Sequence, residues 1–597
     1  MSYKSYTLLS ILILAAVLRL WGLGGPDVVT DEAINSFRAY GLVDFLSTEF
    51  QTTPMEWLQA PIWWLGLSFH DHPLGSFFVQ HVFFRLFGDS VTVMRLPFAL
   101  FGILSVWLVY AVVRELGRAS VVRGGKVWDK SDRFDRSDKS DNYLVERIAQ
   151  VSAAVMAVGS LSVWISRIAL QESMVVALGL LIVWLGVRAM REPKNWYWFG
   201  LALGIGMMTK YTVVVYWFIL FIVLLIYSRK SLRLKEFWFA HVIALMIFTP
   251  VILYNAGLYR EFGHFDLQFS YILGQHVPQW TLLPGKPVGS IAERFLDLWK
   301  ELGRAMSPVM IAFAGAGAVW AVYRLLTQRE RVISRIGQIS PIGRVGLIGL
   351  MGLAGTTGLI SVMGPGARFL PMIMPWAAMI FAAFISDMGK RARGRAGKIW
   401  MAACVFALVY ELGFSVNSHL FTFPVGPQPW THTQVLTQGS DWGYNELERY
   451  LHEKFDNGVT TLRLQSKSPL VGAVTDRYFE PRRQRELKPL ATLLVYDVNI
   501  NWFPRVWYLN RRALYQGLPV VTADDFLKVV QEQREDYYRD AGFEEFVFIK
   551  AEDTFRATTI RSDAAMQLGH ALEERGSMPM EIRRETGDVA FKVYEFR

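Results

Sequence analysis

Stretches of mainly apolar residues, each long enough to cross a bilayer as an α-helix of roughly 20 residues, recur along this 597-residue chain from its start to about residue 415. They lie near 6 to 23, 93 to 113, 148 to 165, 174 to 190, 196 to 210, 211 to 227, 238 to 254, 305 to 323, 345 to 363, 369 to 386 and 398 to 415. That predicts about eleven crossings. Hydrocarbon offers no partner for backbone N–H and C=O groups, so such runs fold as helices. Composition agrees: 52% of residues are hydrophobic, 14% aromatic and 19% charged, more apolar than a soluble globule of this size. The fifth and sixth stretches abut at Lys210 and Tyr211 with no real loop between them.

Orientation follows from the basic residues. The loop 114–147 is rich in Lys and Arg, and SRKSLRLKEF, TQRERVISRIGQISPIGR and DMGKRARGRAGK repeat the bias on the same side if the spans alternate. That side is expected to be the cytoplasm. The N-terminus then lies inside, and the segments 24–92, 166–173, 255–304 and 364–368 face outward with the C-terminal region. The Ser, Asp and Lys run within 114–147 has the composition of a disordered segment. The net charge of +10 is explained by these loops, and no aromatic and basic recognition module accompanies it, so nucleic acid is excluded as a partner. Cys404 is the single cysteine, which excludes a disulfide framework or a zinc cluster. Arg19, Leu20 and Trp21 stand where a signal peptide would carry a small-residue cleavage site, so the first span reads as an uncleaved anchor.

From about residue 416 the pattern changes. Strand-like TTLRLQS, LATLLVYDV, PVVTA, EEFVFIK and VAFKVYEF alternate with helix-like ADDFLKVVQEQREDYYRDAG and SDAAMQLGHALEERG. Such alternation predicts a small α/β domain with a partly parallel sheet. No phosphate loop, metal cluster or nucleophile motif marks it. The expected organisation is a membrane domain over 1–415 and an extracytoplasmic domain over 416–597.

Chemistry is concentrated in the outward segments. Asp31 and Glu32 follow the first span directly, and carboxylates at a membrane face are costly without solvent or a partner. The residues after them, AINSFRAYGLVDFL, have the spacing of an interfacial helix, as does SFFVQHVFFRLFG after the turn His70-Asp71-His72-Pro73. Taken singly, Asp31 reads equally well as a helix cap. Arg167 and Glu172 in SRIALQES, Lys210 in MMTKYT and Arg368 in GPGARFLP return to the same outer face. For Arg167 and Arg368 the alternative is snorkelling to headgroups, whereas Lys210, between two apolar runs, needs water or an anionic partner. Three carboxylates, Asp31, Asp71 and Glu172, and three cations, Arg167, Lys210 and Arg368, at one face suit phosphate binding by the cations and proton abstraction by a carboxylate. Asp71, Glu172 and a histidine such as His72 also offer ligands for a divalent metal, with no spacing that fixes one.

TDEA after the first span, HDHPLGSFFVQHVFFRLFGDSVTVMRLPFALFG, SRIALQES, TKYTVV and GARFLPMIMP resemble, in this order, the landmarks of the GT-C membrane glycosyltransferases. The closest group is the protein O-mannosyltransferase-like proteins of glycosyltransferase family 39, with the lipid A aminoarabinose transferases. The resemblance covers most of residues 1–415 and implies a GT-C fold, a polyprenyl-phosphate-linked sugar donor, transfer at the non-cytoplasmic face of the cell membrane and inversion at the anomeric carbon. It makes Asp31 the candidate general base with Glu32 beside it. It places Asp71, His72, Arg167, Glu172, Lys210, Tyr211 and Arg368 at donor or acceptor, Lys210 and Arg368 toward the donor phosphate. Where the family pattern has two prolines after the turn, only Pro73 is present. FSYILGQHVPQW resembles a segment of archaeal relatives and adds Gln275 and His276. No cofactor beyond a possible metal is implied, and glycan, protein and lipid acceptors stay open. A flippase for lipid-linked saccharides or an accessory scaffold are the alternatives; neither internal repeats nor charge at the span midplanes, which transporters show, is found.

Overall fold

The computed structural model describes residues 3–28, 30–44, 62–118, 136–275, 289–327, 340–435, 441–460, 469–485, 487, 489–534, 536–552 and 562–597. Each apolar stretch read from the sequence is helical. Among the described residues, seven helices are long and apolar enough to span a membrane, from Val91–Gly117 to Gly394–His419, and an eighth is counted if a bent pair forms one span. The stretches near 6 and 211 form shorter apolar helices, and the one near 196 gives Asn195–Thr209, of 15 residues. Helix length therefore does not establish the expected eleven. Large apolar side chains such as Trp238, Val242, Leu245 and Met246 on Lys235–Phe262, and Val405, Phe406 and Val409 on Gly394–His419, point outward, as lipid-facing surfaces require. The protein is a multi-pass membrane protein.

The chain divides into two compact units, one of Met1–Leu23, Leu67–Ser76 and Arg95–Thr437, the other of Gly24–Gly66, Phe77–Met94 and Gln438–Arg597. The second unit thus draws on the segment after the first span as well as on the C-terminal region, and not on a single run beginning at 416.

In the first unit the stretch 148–165, read as one span, is two helices, Arg136–Val158 and Ser160–Ser166, bent by 59°. Gly159 stands at the break, where a Cβ would lie 2.5 Å from Met374 Cε and 2.9 Å from the Val155 carbonyl. Buried Glu411 accepts the Ser160 N–H at 2.9 Å and the Ser307 hydroxyl, so a side chain replaces the carbonyl that a continuous helix would have supplied. Arg19 spans the same region, donating to the carbonyls of Met156 and Ala157 and to the Ser162 hydroxyl, where a cation suits a helix C-terminus. The basic loop is helical from Arg136, and the rest of its Ser, Asp and Lys run lies outside the described residues.

The second unit holds a five-stranded mixed sheet in the order β2-β1-β3-β5-β4, with β1 Thr492–Tyr496, β2 Val520–Thr522, β3 Glu545–Ala551, β4 Met580–Arg583 and β5 Val589–Phe596. β1 runs parallel to β2 and β3, with Leu494 opposite Val520 and Val547, and β5 runs antiparallel to β3 and β4. Leu493, Val495, Phe546 and Phe548 meet Phe526 of Ala523–Glu532 and Leu568 and Leu572 of Asp563–Glu574 in the core of one face. β4 was not legible in the sequence; its MEIR has one buried residue, Ile582, too little for an alternating pattern. TTLRLQS falls almost wholly outside the described residues.

Candidate active site

In the first unit, Lys210 occupies the junction that the sequence marks. Its backbone is extended (φ −165°, ψ 137°), which ends Asn195–Thr209 and starts the short turn Tyr211–Val213. The ammonium is buried and bonds Glu172 Oε1 at 2.6 Å. Glu172 opens the helix Glu172–Ala189, where the N-terminal dipole also favours a carboxylate. Lys210 and Arg368 both lie over the Phe369 ring, 5.4 and 5.0 Å from its centre, and Arg368 acts on Glu172 electrostatically. The two cations and Glu172 thus form one cluster, with an aromatic face beneath the cations.

The turn of Asp71 and His72 packs onto this junction. Gly75, where the next helix starts, approaches the Met208 carbonyl so closely that a Cβ would sit 2.5 Å from its oxygen. His72 Nδ1 lies 3.0 Å from Asp71 Oδ2, and the His72 carbonyl accepts the Phe69 N–H at 3.1 Å. The His70 carbonyl in turn takes the Leu267 N–H at 2.7 Å, which ties the turn to Asp266. Asp266 caps the helix Leu267–Ile272 through Gln268 and Phe269 and accepts the Tyr211 hydroxyl at 2.8 Å and Asn255 Nδ2 at 3.0 Å. Burial pushes its carboxyl above the usual range, against the pull of these donors. Gln275 takes the Phe265 N–H and the Ser270 hydroxyl through Oε1, a bracing role for its loop, and His276 lies outside the described residues.

Arg167 has a different task from the donor contact expected of it. It is fully buried, and its guanidinium donates to the carbonyls of Leu18, Trp21 and Gly22 at 3.1, 2.7 and 3.3 Å. These lie at the C-terminal end of the first span, whose last carbonyls have no helical partner and carry negative partial charge. The pairing of Asp71 with Glu172 around a metal also fails to appear: Glu172 belongs to no cluster of three potential metal ligands among the described residues, and Lys210 engages its carboxylate.

In the second unit, Asp31 and Glu32 form the first turn of Asp31–Gly41. Asp31 is half-buried and Glu32 buried. The helix is held on several sides: Ser36 accepts from Gln80 at 2.8 Å, the carbonyls of Ala39 and Tyr40 both lie 3.0 Å from His81 Nδ1, and Tyr515 donates to the Phe37 carbonyl at 3.2 Å. Shared by two carbonyls, Nδ1 carries the proton. Just upstream, Asp27 receives the N–H groups of Trp442 and Tyr444 on one oxygen and of Asn445 on the other, at the start of the helix Tyr444–Phe455.

Residues 71–125 and 140–254 match the family model described as dolichyl-phosphate-mannose-protein mannosyltransferase. The structure is similar to ArnT from Cupriavidus metallidurans in the apo state, with a TM-score of 0.50 and 13% identity over 100% of this chain and 98% of that one. The chain shares the fold of that ArnT. The crystal structure of the same ArnT bound to undecaprenyl phosphate gives a TM-score of 0.49 and 12% identity over the same shares. No curated protein sequence matches this chain. The family match includes Asp71, His72, Glu172, Lys210 and Tyr211 and ends before Arg368.

Sequence reasoning passed over two polar centres of the protein. Asp266 was visible as an acidic residue before a short helical run, the pattern of an N-cap; nothing in the sequence pointed to Tyr211 as its partner. Asp27, in Gly-Gly-Pro-Asp, reads as an ordinary turn residue, because its three N–H partners lie more than 400 residues away, the nearest separated by 415.

Proposed function

We propose that this protein is a GT-C membrane glycosyltransferase that takes its sugar from a polyprenyl-phosphate-linked donor and transfers it at the non-cytoplasmic face, with Asp31 as the general base. The observation that carries the donor reading is the cluster of Lys210 and Arg368 around Phe369, with Glu172 on Lys210. A glycosyl phosphate leaves as an anion, and cations fixed beside it stabilise the charge that develops on the departing oxygens. Glu172 holds Lys210 in its orientation, so the cation is in place before the donor arrives. The family description supports the donor class, since it names a polyprenyl phosphate, dolichyl phosphate, carrying the sugar.

Asp31 is assigned the base because it is the half-buried member of the acidic pair, while Glu32 is turned into the fold. A base must reach a proton on an incoming hydroxyl or amine, and Asp31 retains that access. Its helix is fixed by Gln80, His81 and Tyr515, which preserves the geometry that proton transfer needs. Asp71 and His72 are proposed to bind donor or acceptor from their own turn. The basic loops support a cytoplasmic N-terminus and an extracytoplasmic C-terminal region.

The test is Asp31→Asn in sealed vesicles carrying a polyprenyl-phosphate sugar. Transfer is expected to fall by about a hundredfold or more, the span of a lost general base, with expression and thermal midpoint unchanged, and wild-type transfer is expected only with acceptor on the non-cytoplasmic side. Wild-type rates in Asp31→Asn would remove the base assignment. Donor translocation without any glycosylated product would turn the reading into a flippase.

A further inference from the structure

The second unit contains a cavity of about 210 Å³ whose lining holds five arginines against three carboxylates, a net charge of +2 with His452 neutral. All of its residues belong to this unit, and none has a role in the transfer proposed above. Its floor is preset. Glu448 Oε1 takes both Arg511 and Arg512, at 2.8 and 2.9 Å, and both guanidiniums are buried. Arg511 also pairs with Asp89 and lies 4.5 Å from the centre of the Trp507 ring. Burial opposes the Asp89 charge, yet Arg511 and Arg512 hold its carboxyl below the ordinary range, so Asp89 stays ionised and committed to the floor.

The wall is built differently. Arg477 donates to the carbonyls of Phe84 and Arg85, at the C-terminal end of the helix Gly75–Phe87. Neither Arg477 nor Arg85 meets a carboxylate within salt-bridge distance among the described residues. Arg482 lies 3.6 Å from the centre of the Tyr478 ring and pairs with Asp456 at 3.1 Å, while its buried Nε makes no hydrogen bond among the described residues. His452, two-thirds exposed, and exposed Arg85 stand where solvent enters. Guanidinium forks match tetrahedral oxyanions, which present several acceptor oxygens at once. A surplus of two positive charges over fixed carboxylates draws an anion rather than a neutral sugar.

We propose that this cavity binds a phosphate-bearing group, with Arg85, Arg477 and Arg482 meeting its oxygens and Arg511 and Arg512 supplying the field behind them. The group is a lipid headgroup phosphate or a free phosphate compound, and both present the same oxygens. The inference is independent of the donor and base assignments, since it is read by binding and not by transfer.

Calorimetric titration of the full chain with inorganic pyrophosphate, in a nonionic detergent, tests it. Saturable binding is expected, weakening as NaCl rises from about 50 to about 300 mM because exposed charges are screened. Arg85→Gln and Arg477→Gln together are expected to weaken binding at least tenfold, about 1.4 kcal/mol, with the thermal midpoint unchanged. Arg85→Gln alone, at an exposed position, weakens it in the same direction and keeps the test valid if the double variant misfolds. Absence of saturable binding, or equal binding by folded wild type and Arg85→Gln, overturns the proposal. Repeating the titration in phosphatidylcholine nanodiscs with and without phosphatidylglycerol separates the sources: competition by the anionic lipid identifies a headgroup, and unchanged affinity a free phosphate compound.

Discussion

The buried pair of Lys210 and Glu172 is where stability and the proposed chemistry meet. Each charge is sheltered from water, and removing one leaves the other uncompensated, at a cost of about 3–5 kcal/mol. Lys210→Met is therefore expected to lower the thermal midpoint in nanodiscs and to abolish transfer. The double variant Lys210→Met, Glu172→Leu is expected to recover most of the stability while transfer stays lost; recovery of both would make the pair merely structural. Asp27 offers a test by pH. Burial pushes its carboxyl up to about 6 from an ordinary 3.8, against three N–H donors. Between those values the folded chain holds a proton that the unfolded chain has released, so the stability Asp27 lends is full below about pH 4 and declines until about pH 6. The decline amounts to about 3 kcal/mol. Asp27→Asn is expected to flatten it, and an unchanged pH profile of thermal midpoints between pH 4 and 7 would contradict the assignment. At this scale the sequence marked Lys210 as needing water or an anionic partner. It left Arg167 open between donor and headgroup, because the carbonyls that claim Arg167 lie 145 to 149 residues away.

Among the elements, the bent pair Arg136–Val158 and Ser160–Ser166 decides where the next segment begins. Its break leads directly into Arg167, at the end of the first span, and on to Glu172. The sequence read 148–165 as one span, since hydropathy measures length and apolar content and is blind to a kink. The bend depends on Gly159 and on Glu411, 251 residues from the Ser160 N–H that it accepts. Gly159→Leu adds atoms where Met374 and the Val155 carbonyl already stand; it is expected to cost about 1–3 kcal/mol as overpacking, read as a lowered thermal midpoint. Transfer is expected to fall with it, since the loop that carries Arg167 and Glu172 follows the break. The helices Asp31–Gly41 and Gly75–Phe87, by contrast, were legible, because amphipathic spacing is a local property.

For the whole molecule, the composition of the second unit matters most. It takes Gly24–Gly66 and Phe77–Met94 together with Gln438–Arg597. Asp27 caps one of its helices, Phe84 stacks on Trp507 with ring centres 5.7 Å apart, and Tyr515 bonds the Phe37 carbonyl. A fragment of residues 416–597 expressed alone is therefore expected to lack fixed tertiary structure, seen as loss of the near-ultraviolet circular dichroism of its aromatic residues; a native-like spectrum would show that the C-terminal region needs none of these partners. By itself, the sequence determined that the chain is a multi-pass helical membrane protein with basic loops, amphipathic helices after the first span and a partly parallel C-terminal sheet, since apolar run length, charge and periodicity are written within a few tens of residues. Only the tertiary structure decided that Lys210 meets Glu172, that Arg167 belongs to the first span, that Asp27 caps a helix 415 residues on, and that five arginines share a cavity. Each of these is set by which distant groups must pair once removed from water, and that choice is made when the chain packs.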